Sequence, residues 1–167
     1  MTGVQTCALP ICSANHARTA MFGFSRFDSE YAYKMGQTAI ELDPQEPVGH
    51  FALGYCHHVL GRMQSAIAEY EEAIRLNPNF AEAYQLFGRA LIRTCRYEEA
   101  VPYFETSIRM NPRDDLMGFH FAGLAMAHLL LRNFDTSAEW ARRAVRFPRA
   151  RFAPTVLIAA LAHGEIG

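Results

Sequence analysis

Histidine spacing is the first feature of this sequence that could support chemistry. His57, His128 and His163 occupy equivalent positions of a repeated pattern, and a ladder of imidazole rings could bind a metal ion. Zinc needs ligand nitrogens about 2.0–2.1 Å away, whereas packed helices lie about 8–10 Å apart. Because a flat, partly polar ring also packs well between helices, we expect these histidines to be structural. We predict no metal site and no cofactor.

Other candidates for catalysis are also poorly arranged. His50 and His57 are separated by two helical turns, about 10 Å, which is too far for one metal ion. Cys56 and Cys95 are not part of a CxxC pair, and we expect them to pack as small hydrophobic side chains. The sequence contains no phosphate-binding glycine loop and no Ser/His/Asp set. We therefore predict that the chain is not an enzyme.

Charged residues form two local clusters. The acidic cluster comprises Glu69, Glu71, Glu72, Glu98 and Glu99. We expect it on a solvated helix face, with an i, i+4 pair between Glu71 and Arg75. The basic cluster comprises Arg142, Arg143, Arg146, Arg149 and Arg151. It could touch an acidic partner, but without supporting aromatic residues we do not expect it to bind nucleic acid.

The composition is that of a globular protein with balanced charge. The chain has 167 residues, enough for one domain, and 50% of them are hydrophobic. A net charge of −1 gives no attraction to nucleic acid or to an anionic membrane. No run of about 18 apolar residues could span a bilayer. The four cysteines form no zinc or disulfide framework, so we predict a cytoplasmic location.

A 34-residue period organises most of the chain. Proline recurs at positions 44, 78 and 112, and isoleucine at 40, 74 and 108; a fourth copy follows with a step of 37. Within each copy, apolar residues at i, i+3, i+4 and i+7 indicate two helices. Gly61 and Pro78 mark helix ends. The pattern predicts no strand and nine helices, at about 13–22, 29–42, 46–60, 63–76, 80–94, 97–110, 115–131, 134–147 and 151–163.

Small residues recur where the two helices of a copy should cross, because small side chains let helix axes approach closely. They are Gly54, Gly88 and Ala125 on first helices, and Ala66, Ala100 and Ser137 on second helices. Gly36 stands where Tyr70 and Phe104 stand in later copies. We therefore expect a gap at Gly36 and a loss of about 1 kcal/mol for glycine inside a helix.

The stretch "AEAYQLFGRALIRTCRYEEAVPYFETSIRMNP" (81–112) resembles a tetratricopeptide repeat. The family pattern is met here by Tyr84, Phe87-Gly88, Leu91, Ala100, Phe104, Ser107 and Pro112. The copy before it supplies His50, Leu53-Gly54, His57, Ala66, Tyr70, Ala73 and Pro78. The resemblance implies an all-α fold, a right-handed α-solenoid of antiparallel helix pairs. About four repeats and a partial fifth are implied, with a concave inner face.

The opening "MTGVQTCALPIC" stands apart from this array. It lacks the basic start and apolar centre of a signal peptide, and residues 1–11 are similar to a translated sequencing-library adapter. We expect residues 1–12 to be a non-native or disordered leader before an array at 13–167. The last helix has no partner helix, so we expect a fragment cut at both ends. The expected repeats are about 13–46, 47–80, 81–117, 118–152 and a partial 153–167.

The resemblance places partner binding on the concave face, which the first, or leading, helix of each repeat lines. Two apolar patches there flank a polar stripe with Arg89 and Arg93, which suits an amphipathic or extended peptide carrying a carboxylate. Missing repeats or another domain of the same chain could cover the patches instead. We expect replacement of Phe51 and Tyr55 by alanine to weaken partner capture without unfolding the chain. The implied groove residues are Val48, Phe51, Tyr55, His58, Glu82, Gln85, Arg89, Arg93, Phe119, Met126 and Leu130.

Two functions are compatible with this sequence. The first is a non-enzymatic scaffold that binds a protein or peptide in its groove. The alternative is the regulatory C-terminal segment of a larger bacterial signalling protein. The string "FAGLAMAHLLLRNFDTSAEWARRAVRF" is similar to repeat segments that follow a nucleotide-cyclase or winged-helix DNA-binding domain. In both cases we expect protein or peptide partners, other domains of the parent chain among them, and no nucleic acid or membrane contact by this segment. The family's chaperone-tail clamp is not predicted, because its Lys and Asn positions hold Phe51, Tyr55, Gln85 and Arg89.

Overall fold

The computed structural model describes residues 26–113 and 116–148. These residues form seven α-helices and no strand, which confirms the predicted all-α class for this part of the chain. The predicted helices at 13–22 and 151–163 lie outside the described residues. The helices are α1 (Arg26–Leu42), α2 (Pro47–Val59), α3 (Met63–Leu76), α4 (Ala81–Arg93), α5 (Tyr97–Met110), α6 (Met117–Leu130) and α7 (Phe134–Ala144).

The chain divides into two compact units. The first ends at Ala83 and contains α1 to α3; the second begins at Tyr84, inside α4, and contains α5 to α7. In the first unit α2 packs against α1 and α3, and in the second α6 packs against α5 and α7. Short connections at 60–62 and 131–133 join α2 to α3 and α6 to α7. These pairs are therefore antiparallel, as the repeat pattern predicts.

The packing of the second unit centres on the ring of Phe104, which is fully buried on α5. A Cβ atom added to Gly88 of α4 would lie 2.9 Å from Phe104 Cε2, and one added to Gly123 of α6 would lie 2.2 Å from Cε1. In the first unit, Gly54 of α2 faces Tyr70 of α3 in the same way. A Cβ atom added to Gly54 would lie 2.6 Å from Tyr70 Cε1. The close approach predicted at Gly54 and Gly88 is confirmed, and the structure adds Gly123, which the repeat pattern did not indicate.

The gap expected at Gly36 does not exist. A Cβ atom added to Gly36 would lie 3.0 Å from Leu53 Cγ of α2 and 3.4 Å from the Leu53 backbone nitrogen. Helices α1 and α2 thus close on one another where later copies hold an aromatic ring. Helices move together to fill such a void because the atoms that line it would otherwise lose dispersion contacts. The expectation was wrong because it kept the helix spacing fixed.

Two buried serines connect helices of the second unit. Ser137 of α7 donates a hydrogen bond to the carbonyl oxygen of Ala125 on α6, at 2.7 Å. Ser107 of α5 donates to the Phe104 carbonyl at 3.2 Å and also contacts His120 Nδ1 of α6. Ser107 Oγ and His120 Nδ1 thus link α5 to α6, and the tautomer of the imidazole decides which of the two atoms donates. Both serines therefore add polar interactions between helices at positions where packing requires a small residue.

The three leading helices in the described part of the chain end in the same turn, whether or not glycine is present. Gly61, Cys95 and Arg132 have φ angles of 77°, 61° and 62°. In each turn, the next residue donates its N–H to the carbonyl five residues back, which is the Schellman cap. These bonds are Arg62 to His57 at 2.9 Å, Arg96 to Leu91 at 2.9 Å and Asn133 to His128 at 2.8 Å. The cap predicted at Gly61 is confirmed, and Cys95 and Arg132 adopt the left-handed conformation without a glycine.

We predict that Gly123→Ala destabilises the second unit. Alanine should gain about 1 kcal/mol of helix propensity over glycine, but its Cβ would overlap the Phe104 ring, and overpacking costs about 1–3 kcal/mol. Urea unfolding of the parent chain, of Gly123→Ala, of Phe104→Leu and of the double variant measures the coupling energy between the two positions. The overlap should shrink in the double variant. A Gly123→Ala chain more stable than the parent would contradict the ring-on-glycine contact.

We also predict that Gly61→Ala lowers the free energy of unfolding by about 1 kcal/mol, because alanine is strained in the left-handed conformation. Cys95→Ala is the matched control at the equivalent turn. An L-residue already carries that strain there, so the change should stay within about 0.5 kcal/mol, typical of exposed sites. Equal losses in the two variants would show that the conformation of Gly61 does not matter.

Candidate functional site

The predicted groove residues of the first unit divide into buried and accessible side chains. Phe51 on α2 is only 4% exposed, with its ring centre 4.8 Å from that of Phe80 and 6.1 Å from that of Tyr70. His58 is also buried, with its ring 6.4 Å from that of Tyr70. The accessible surface is formed instead by Val48, Tyr55 and Glu82, which are half-buried, and by Val59, which is 53% exposed.

The burial of Phe51 changes how the groove can be tested. Truncating a buried phenylalanine costs about 3–5 kcal/mol, so Phe51→Ala should lower stability as well as alter the surface. The expected separation of binding from folding does not hold for this residue. Tyr55, which is half-buried on the same helix, remains suitable for a binding variant.

The second unit leaves its predicted groove residues more accessible. Arg89 and Arg93 are exposed and one turn apart on α4, so they share a helix face. Leu130 at the end of α6 is 41% exposed. Phe119 and Met126 are half-buried, and Gln85 is buried. Chemically, this unit offers two guanidinium groups on α4 and apolar side chains on α6.

The two described histidines of the ladder are packing residues in the structure. The His57 ring meets the Tyr33 ring edge-on, with centres 5.5 Å apart. The Nδ1 atoms of His57 and His128 are buried and have no hydrogen-bond partner among the described residues. Burial lowers the pKa of both side chains. Among these residues, no three His, Cys, Asp or Glu side chains gather as metal ligands, and His163 lies outside the described part.

The two described cysteines differ sharply. Cys56 is buried on α2, and burial raises the pKa of its thiol to about 11. Cys95 is exposed in the turn after α4. Since the thiolate is the reactive form, Cys56 behaves as the small hydrophobic residue that the sequence predicts. The same prediction for Cys95 is wrong, because its side chain lies in solvent beyond the end of α4.

The acidic cluster is paired more extensively than expected. Arg75 binds both carboxylate oxygens of Glu72 at 2.6 and 2.7 Å, which corrects the predicted pairing with Glu71. Glu69 instead accepts from His50 Nδ1 at 2.8 Å, across the α2–α3 interface. The hydrogen bond from Arg75 lowers the pKa of Glu72. Arg75 pairs with Glu72 rather than Glu71 because the i, i+3 spacing brings two guanidinium nitrogens onto one carboxylate.

The basic cluster includes an aromatic stack that the sequence reasoning missed. The Arg143 guanidinium carbon lies 4.3 Å from the Trp140 ring centre and 4.5 Å from that of Phe121. The two rings stack with centres 5.5 Å apart. The i, i+3 spacing of Trp140 and Arg143 could have revealed half of this contact. Arg142 and Arg146 are exposed, while Arg149 and Arg151 lie outside the described residues.

None of the helices in the described ranges combines the length and the apolar character that crossing a membrane requires.

Comparison with known families agrees with the repeat pattern. A tetratricopeptide-repeat model matches residues 60–118, and a second one matches residues 35–84. "Small glutamine-rich tetratricopeptide repeat-containing protein 2" of Mycosarcoma maydis is 32% identical over 79 residues. That alignment spans 47% of this chain but 22% of the relative's length.

Solved structures share the fold at low sequence identity. Pseudomonas aeruginosa PilF aligns with a TM-score of 0.79 and 19% identity, over 93% of this chain and 70% of its own. YrrB, described as a TPR protein with an unusual peptide-binding site, aligns with a TM-score of 0.69 and 17% identity. Its alignment covers 93% of this chain and 77% of that chain. These similarities concern the arrangement of helices alone.

We predict that a neutral alkylating reagent labels Cys95 in the native chain and labels Cys56 only after unfolding. The expectation follows from the exposure of Cys95 and from the buried, high-pKa thiol of Cys56. Peptide mass spectrometry after a short iodoacetamide pulse at pH 7.5, with and without urea, separates the two sites. Rapid native labelling of Cys56 would contradict the close packing of α2.

Proposed function

We propose that this chain, whose residues 35–118 carry tetratricopeptide repeats, is a non-enzymatic module that binds a peptide or partner helix in the cytoplasm. The binding faces are the exposed sides of its leading helices, α2, α4 and α6. The observation that carries this proposal is their side-chain exposure. Val59, Arg93 and Leu130 occupy equivalent repeat positions, and all three remain exposed.

Exposed apolar side chains support the proposal because they are not buried in the core of their own unit. Val59 and Leu130 are 53% and 41% exposed, and half-buried neighbours extend each apolar surface. In the first unit these neighbours include Tyr55, and in the second they include Met126. Grouped apolar surface of this kind is typical of interaction sites, whereas single exposed residues are not informative.

Charge suggests the chemistry of the partner. Arg89 and Arg93 present cations on one face of α4, and guanidinium groups bind carboxylates in a geometry that lysine does not match. We therefore favour a segment that carries an acidic residue together with apolar side chains. An amphipathic helix or an extended strand could present both.

The relatives support an interaction role without identifying the partner. YrrB is described as having a peptide-binding site. The Mycosarcoma maydis relative is named for its tetratricopeptide repeats, and the aligned segment spans only 22% of its length.

We predict that Arg93→Ala/Leu130→Ala weakens binding of a cognate peptide at least about tenfold, the size expected for an interface hot spot. Peptides are first selected from a random 12-residue display library on the full chain. Affinities are then measured by fluorescence anisotropy, and each variant is checked by circular dichroism. Replacing the acidic residue of a selected peptide by lysine should reduce its affinity.

Arg109→Ala is the matched control. Arg109 is an exposed arginine near the end of α5, a second helix, where its guanidinium contacts Thr106. The control should bind within about twofold of the parent chain, because surface changes outside the site are nearly neutral. Equal losses in the control and the double variant, or no selected peptide at all, would reject the proposed binding face.

A further inference from the structure

Within residues 26–113 and 116–148, one position of the repeat carries histidine twice and leucine once. His57 of α2 and His128 of α6 correspond to Leu91 of α4. The carbonyl of each residue accepts the backbone bond that closes the left-handed turn after its helix, at 2.8–2.9 Å. Leu91 is fully buried and closes its turn equally well. The fold therefore does not require an ionisable ring at this position.

The imidazole rings are accommodated in their neutral form. Nδ1 of His57 and of His128 is buried and has no hydrogen-bond partner among the described residues. Protonation would turn that atom into a buried donor without an acceptor, which is unfavourable. On the side of α1, the His57 ring makes a T-shaped contact with the Tyr33 ring, which offers no carboxylate.

Neighbouring charges only partly offset this cost. Glu69 of α3 favours the charged form of His57, while Arg62 in the following turn opposes it. Glu69 is already held by His50 at 2.8 Å. Glu105 of α5 favours the charged form of His128. Burial is the larger effect in both cases, and the pKa of each ring is lowered from its ordinary value of 6.5.

The direction of the pH effect follows from this lowering. The unfolded chain takes up protons at these histidines near pH 6.5, whereas the folded chain resists until a lower pH. Stability contributed by the neutral rings is thus fully present above pH 6.5. It is lost as pH falls below that value.

We propose that the turns after α2 and α6 form an acid-sensitive device: protonation of His57 and His128 loosens these turns, while the turn closed by Leu91 stays shut. The loosened ends include Val59 and Leu130, the exposed apolar residues of the leading helices. Mild acid would therefore disorder these ends before the rest of each unit. The device does not depend on peptide binding.

Amide hydrogen exchange on the full chain tests this directly, with rates corrected for the intrinsic effect of pH. The turn-closing N–H groups of Arg62 and Asn133 should lose protection by about fivefold or more between pH 7.5 and pH 5.5, because the folded state binds protons less readily than the unfolded state over this range. The Arg96 N–H, which closes the Leu91 turn, should change less than twofold. Equal loss at all three amides would mean general acid unfolding and would overturn the proposal.

The variant His57→Leu/His128→Leu copies the natural Leu91 turn and should retain protection at pH 5.5. If it shows the same acid-induced loss, other histidines such as His50 or His120 are responsible and the proposal fails. Ring titrations by NMR in the parent chain provide a test that does not depend on the variant. His57 and His128 should titrate below 6.5, and titration without loss of Arg62 and Asn133 protection would equally reject the device.

Discussion

The contact between an aromatic ring on a second helix and a glycine on a leading helix determines the packing of both units. Tyr70 against Gly54, and Phe104 against Gly88 and Gly123, bring backbones closer than any larger residue would allow. Close approach removes voids and adds dispersion contacts over the whole interface. It also satisfies the repeat period, because the ring and the glycine recur together. Gly36 and Leu53 allow a similarly close approach of α1 and α2, with a leucine in place of the aromatic ring.

Packing of this kind commits some positions of a leading helix and leaves others open. The positions that meet the second helix must be small or apolar, which explains why Ala66, Ala100 and Ser137 are all fully buried. The positions near the end of a leading helix are not constrained in this way. Position 59 and its equivalents hold valine, arginine and leucine, each exposed. Variation at exposed, structurally equivalent sites is how a repeat protein acquires different binding chemistry on one scaffold.

Helix positions and the all-α class could be predicted from the sequence because the period and the helix-end residues report on local geometry. The cap at Gly61 is an example, since glycine identifies the left-handed residue directly. The same turns at Cys95 and Arg132 were hidden, because there the tertiary contacts of the helix pair enforce the conformation against local preference. Gly123 was hidden for a different reason: its partner Phe104 belongs to the preceding repeat, and the period shows which positions are equivalent in different copies but not which residues of successive copies touch.

The candidate surface could be located by repeat position but not sorted by exposure. Repeat position predicts both Phe51 and Arg89 as groove residues, yet Phe51 is in the core and Arg89 is in solvent. Exposure depends on whether a neighbouring segment supplies a ring of the right size, as Phe80, just before α4, does for Phe51. The histidines follow the same logic. A position that tolerates leucine can hold an imidazole at neutral pH, because the neutral ring is uncharged and flat enough to pack there. Protonation adds a charge that leucine never carries, so the proposed pH sensitivity needs no change in the fold.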